Sequence, residues 1–302
     1  MTVLTTLVRR EWMQHRFGWA LLALLPTALA VLLLSFGQIE LGGLPSELSQ
    51  KVAVIGFASL AVPTAAQLGI FWLTSLIIVT GLARRDHADR SVEFWLSMPI
   101  GHSQSLAVPL LVHLILAPLA ALAIGVAAGL LISLVVVTRI SGFDTWLGLP
   151  WSGLMATVAA LAARLALGVF LATLWLSPII LAVVLMTAWF RRWGLVILGV
   201  GVGLGSGLID RLLGVPWPWE LLRGLVERAA RGFIHASDPD QPEGRSESLS
   251  TALEQAPHWL AGDAMLALRE LASPWLLGTL LVSALLFAGL VHWRRLGASA
   301  GS

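Results

Sequence analysis

Few residues in this 302-residue chain have types and spacings suited to chemistry, and most of them stand at the ends of apolar runs. Cysteine is absent, which removes thiol nucleophiles, thiolate metal sites and disulfides together. The seven histidines are scattered and form no H-E-x-x-H pattern, so no metal-ligating set is legible. The segment GVGVGLGSG, 199–207, has the glycine density of a phosphate loop, but it lies inside an apolar run and no lysine follows it. The single lysine, Lys51, has no glycine loop before it. The chain is therefore expected to hydrolyse no nucleotide by itself. Ser206 lacks the G-x-S-x-G context of an activated serine, and no catalytic residue is assigned.

Two glycine series have a different physical use. Gly199, Gly203 and Gly207 recur every four residues and so share one helix face, as do Ala121, Gly125 and Gly129. Small residues at that spacing let helix backbones approach closely in a membrane. His113 and Arg164 are the polar residues that a membrane interior makes costly, and they are the two candidates for a transport pathway. His113 is either a neutral imidazole bonded between helices or a group lining a watery path. Arg164 is expected to snorkel outward from its apolar run.

The remaining concentration of charge lies in 84–105. Asp86, Asp89, Arg90 and Glu93 precede Phe94, Trp95 and Leu96, and Ser97, Met98 and Pro99 then turn the chain. A bare connection between spans needs only a few residues. A short helix with aromatic anchors and a charged rim has the chemistry of a docking element for a cytosolic partner. The same aromatic residues would also suit the lipid interface.

The elements that position these residues follow from the solvent. With 57% apolar residues, 12% charged residues and a mean hydropathy of +0.85, the composition is that of an all-α integral membrane protein. Tyrosine is absent, and the 14 tryptophans take over its interfacial role. The net charge is only +2, with basic residues beside apolar runs, so the high pI does not point to nucleic acid. Six spans are predicted, at 18–36, 60–83, 106–137, 166–190, 193–210 and 274–292, in a single transmembrane domain covering 1–302. The difficult region is the 40-residue run 151–190, read as a surface helix at 151–165 followed by one span, with a membrane hairpin as the alternative.

Charge decides between them. With six spans and both termini inside, the cytoplasmic segments hold ten basic and four acidic residues, a surplus of six. A hairpin would put Arg191, Arg192, Arg294 and Arg295 outside, against the positive-inside bias. The N-terminal 1–17, which includes Glu11, is expected to be an amphipathic helix lying on the inner leaflet, with Val3, Leu4, Leu7, Val8 and Trp12 on one face toward lipid tails and Arg9, Arg10 and Arg16 flanking it. Between 210 and 273 the chain is expected outside, as an amphipathic helix (Leu221, Leu222, Leu225, Val226, Ala229, Ala230), a polar linker and a second helix begun by a Thr251/Glu254 capping box. Both helices are expected to rest on the outer leaflet, with a lid or a docking surface as the alternative role.

This order of parts resembles the permease subunit of ABC-2 type (type II) bacterial ABC exporters. The likeness rests on the R-R-E-W segment of Arg9, Arg10, Glu11 and Trp12, on the loop Asp89-Arg90-Ser91 ending in Leu96-Ser97-Met98-Pro99-Ile100, and on the run from Ser177 to Arg192. Ser91-Val92 lacks the glycine common there, and no basic residue stands between Arg90 and Arg139. The resemblance implies a bacterial cytoplasmic (inner) membrane location and a dimer with a second copy or a paralogue. It also implies a separate ATPase subunit that carries ATP and Mg. Asp86, Asp89, Arg90, Glu93, Phe94, Trp95 and Pro99 would then couple the chain to that ATPase. A secondary transporter and a non-transporting anchor or sensory scaffold are the other readings of the same spans.

Overall fold

The computed structural model describes residues 3–37, 48–83, 85, 101–214, 217–235 and 249–299, and among them every regular element is helical. Helix α1 is Val3–Phe36, α2 is Leu48–Val79, and α3 is the rod His102–Ser141, interrupted by a π-helical turn at Val112–Leu116. A short α4 (Phe143–Leu147) leads into α5 (Trp151–Phe190), and α6 (Gly194–Leu213) follows a tight turn. Outside the bundle core come α7 (Trp217–Phe233) and α8 (Leu249–Arg269), and α9 (Pro274–Ser299) closes the chain. Six of these, α1, α2, α3, α5, α6 and α9, are long and apolar enough to cross a membrane. The chain is a multi-pass membrane protein.

Helix α5 corrects the reading of 151–190. Its 40 residues form one unbroken helix, with neither a separate surface helix nor a hairpin. At about 1.5 Å per residue it is about 60 Å long, twice the roughly 30 Å of hydrocarbon it has to cross. The surplus stays apolar because α7 and α8 cover it instead of lipid. Leu171, Ala172 and Trp175 of α5 pack against Leu225 and Ala229 of α7 and Ala267 of α8. Only part of the stripe foreseen on α7 is used, since Leu221 and Val226 remain exposed. These two helices therefore pack on α5 as a protein layer. Arg228 of α7 lies 5.5 Å from the ring of Trp175 and 5.0 Å from that of Trp275, which adds α9 to the same layer through cation–π contact. On the exposed side of α7, Arg223 donates to Glu227 at 2.7 Å and holds that carboxyl below its ordinary value.

Helix α1 is likewise continuous. No break separates the expected interfacial segment from the apolar run that follows. Leu4 and Trp12, expected toward lipid, are exposed, whereas Leu7, expected beside them, is buried together with Arg10 and Glu11. Arg139 of α3 donates to the carbonyls of Leu34 and Gly37 at the other end of α1, supplying partners that a helix C-terminus lacks.

The closest helix pair is α2 with α3. A Cβ on Gly125 would stand 2.7 Å from Thr64 Cα, and one on Gly129 would stand 2.8 Å from the carbonyl oxygen of Leu60. Gly199, Gly203 and Gly207 on α6 have no atom within 4 Å of such a Cβ. The two glycine series thus differ in use within one chain. Gly129→Val should push α2 away from α3 and cost about 1–3 kcal/mol, the usual range for overpacking. Gly203→Val should leave the isolated chain unchanged. Thermal unfolding in detergent checks both, and equal midpoints for the two variants would mean that the α2–α3 contact tolerates separation.

Candidate functional site

Contacts between helix ends sort the charges. Leu82 and Ala83 after α2, Leu106 of α3, Ala188 of α5, and Leu290 and Trp293 of α9 share one cluster. Thr187 donates to the carbonyl of Thr80 at 2.6 Å. Arg85, Arg191, Arg294 and Arg295 therefore gather at one end of the bundle, together with the start of α1. Toward the other end the charges are mixed: Asp144, Asp210, Glu220, Glu227, Asp263 and Glu270 lie there with Arg139, Arg211, Arg223, Arg228, Arg231 and Arg269.

At the basic end, α1, α3 and the residues following α2 enclose a polar cluster. Glu11, with no exposed surface, accepts two hydrogen bonds from the Arg85 guanidinium, Nη2 to Oε1 at 2.5 Å and Nη1 to Oε2 at 2.9 Å. The planar fork of arginine matches the carboxylate and fixes its plane. His113, also fully buried, places Nε2 3.3 Å from Glu11 Oε2. His15, one turn after Glu11 on α1, places Nε2 3.9 Å from the same oxygen. The two imidazoles meet edge to face at 4.8 Å, and the Trp19 indole packs on both.

The backbone of α3 explains how His113 is aimed. Pro118 has no N–H, so the carbonyl of Leu114 loses the donor that an α-helix would give it. The chain answers with the π-helical turn Val112–Leu116, and Thr173 of α5 donates its hydroxyl to Leu114 O at 3.5 Å. The wider turn carries His113. Such turns recur at functional sites. Beside the cluster, an apolar cavity of about 310 Å³ opens between the same helices, lined by Trp12, Arg16, Trp19, Phe71 and Leu116 among others.

The second polar cluster overturns the outward-snorkelling expectation for Arg164. The residue is 2% exposed, and Nε donates to Asp263 Oδ2 at 2.6 Å. Its remaining nitrogens donate to the carbonyls of Gly232 and Arg231, at the C-terminus of α7. Asp263 Oδ1 accepts the backbone N–H of His235 at 2.9 Å. Close approach makes this reach possible, since a Cβ on Gly168 would lie 3.0 Å from Phe233 Cα. Arg164 thus ties α5, α7 and α8 together.

Of the residues singled out in the sequence, Glu11 and His113 come together. His113 is buried between α3 and α1, with Glu11 as its neighbour. Arg164 lies in the other cluster, Trp12 lines the cavity, and Arg9 is exposed. Asp86, Asp89, Arg90, Glu93, Phe94, Trp95 and Pro99 lie outside the described residues. Three partners were missed: His15, Arg85 and Asp263. His15 had a signal in its i, i+4 spacing from Glu11, and Asp263 had one in its place on the stripe of Leu253, Leu260 and Ala267. Arg85 had none beyond its charge. The chain matches no protein-family model, no curated protein and no solved structure.

Proposed function

We propose that this chain is the membrane-spanning permease subunit of an ABC-2 type exporter, working as a dimer with a separate ATPase subunit in a bacterial cytoplasmic membrane. The basic end of the bundle is then cytoplasmic, in line with the positive-inside bias. Both termini and segment 84–105 belong to that side. The observation that carries the reading is the Glu11–Arg85 ion pair. Arg85 stands at the root of the segment proposed to dock on the ATPase, and its partner sits on α1. A push on that segment is therefore delivered to the first helix and, through His113, to the third. A partner that touches no cargo drives transport only if it binds two arrangements of these helices differently.

The exposed glycine face of α6 suits the second copy, because a Cβ there would meet nothing within one chain. The transported molecule is proposed to be amphipathic, lipid-like or a peptide. No ATP site is assigned to this chain, and ATP and Mg belong to the partner.

The test is recovery of the native protein from its own membranes in mild detergent, with identification of what accompanies it. A stoichiometric subunit bearing a Walker lysine is expected with the wild type. It should be lost from Asp89→Ala combined with Glu93→Ala, with membrane insertion intact. Repeated absence of such a subunit would overturn the exporter reading in favour of a membrane anchor or sensory scaffold.

A further inference from the structure

We infer that Glu11, His15 and His113 form a binding site for a divalent transition-metal ion of the zinc class. The inference stands on this chain alone and does not need the exporter reading. Oε2 of Glu11 and one nitrogen of each imidazole lie within 4.8 Å of one another. His113 Nε2 is 3.3 Å from that oxygen, and His15 Nε2 is 3.9 Å from it. The second spacing is too long for a hydrogen bond. Among the described residues His15 Nε2, although buried, has no hydrogen-bond partner at all.

An ion bonded to nitrogen and oxygen at about 2.0–2.2 Å holds its ligand atoms roughly 3.3–3.9 Å apart at angles between tetrahedral and wide. Both Glu11–histidine spacings fall in that window, and the two imidazole nitrogens, within 4.8 Å of each other, would draw together on the ion. Two imidazoles with one carboxylate select zinc-like ions over magnesium or calcium, which require oxygen ligands and more of them.

Arg85 decides how the site works. Its Nη2 holds Oε1, the carboxylate oxygen that does not face the histidines, and so orients Glu11 as outer groups orient metal ligands. Its Nη1 holds Oε2, the oxygen the ion would take. Binding therefore exchanges one arm of Arg85 for the ion and keeps the other. His113 would bind through Nε2 and carry its proton on Nδ1, which has no partner among the described residues. Ion and guanidinium are like charges, so the site is expected to be readily reversible and to report on the position of Arg85.

The experiment titrates the purified full-length chain in mild detergent with Co2+ alone as the optical probe, then adds Zn2+. One Co2+ per chain is expected, with the visible absorption of a low-coordinate nitrogen and oxygen site, displaced by Zn2+ and not by Mg2+. His15→Gln, at a partly exposed position that should fold, is expected to weaken binding by about tenfold or more. The variant His102→Gln combined with His292→Gln, at histidines away from the cluster, should bind as wild type. No stoichiometric Co2+ binding, or binding left unchanged by His15→Gln, would overturn the inference.

Discussion

Asp263→Leu should destabilise the outer layer by about 3–5 kcal/mol, the usual consequence of leaving a buried charge without its partner. The side chains of Arg164 and Asp263 are both buried, so no water is at hand to replace the lost carboxylate. The backbone N–H of His235 loses its acceptor in the same step. Arg164→Met alone should also destabilise, because it strands Asp263 and uncaps α7. Arg164→Met combined with Asp263→Leu should recover much of the loss, since an apolar pair of similar volume avoids desolvating either charge. Hydrogen exchange over α7 and α8, with the unfolding midpoint of the whole chain, separates these cases. If the double variant is as unstable as the two single ones summed, the pair is not acting as a unit.

That prediction concerns a residue whose environment was misjudged, and the reason is physical. Lipid tails and the covering face of another helix ask for the same side chains, so the apolar run 151–190 reads alike whether its neighbour is lipid or protein. Only Arg164 and Asp263 mark the change of neighbour, and they are 99 residues apart. The six long helices were legible because hydrocarbon selects length and composition together. Their packing was legible only where backbones touch, as at Gly125 and Gly129. The same spacing on α6 meets no neighbour within one chain. In the basic cluster, Glu11 and His15 share an element and a spacing. Arg85 and His113 lie 74 and 102 residues from Glu11, and tertiary packing alone brings them together. Helix α1 also shows how far an amphipathic pattern reaches: Leu4 and Trp12 keep the outer face expected for lipid, yet Leu7 turns inward with Glu11, whose partners on other segments the pattern does not show.

Arg85→Leu should have the second large effect, about 3–5 kcal/mol, because Glu11 is fully buried and loses both bidentate bonds. Glu11→Gln should cost less, since the amide still accepts a bond from Arg85 and can face His113. Glu11→Gln combined with Arg85→Leu should lie nearer the wild type than the sum of the single losses, because the two residues act on one another. The exporter reading adds a consequence that a purely structural pair would not have. With the ATPase partner bound and the chain folded in membranes, Glu11→Gln should leave basal ATP hydrolysis in place but lower its stimulation by cargo, since force entering at the root of 84–105 no longer reaches α1 at full strength. A variant of equal instability elsewhere, such as Gly129→Val, should not separate the two activities. If both variants lower basal and stimulated hydrolysis together, Glu11 and Arg85 only hold the bundle closed, and the link between the docking segment and the first helix lies in other residues.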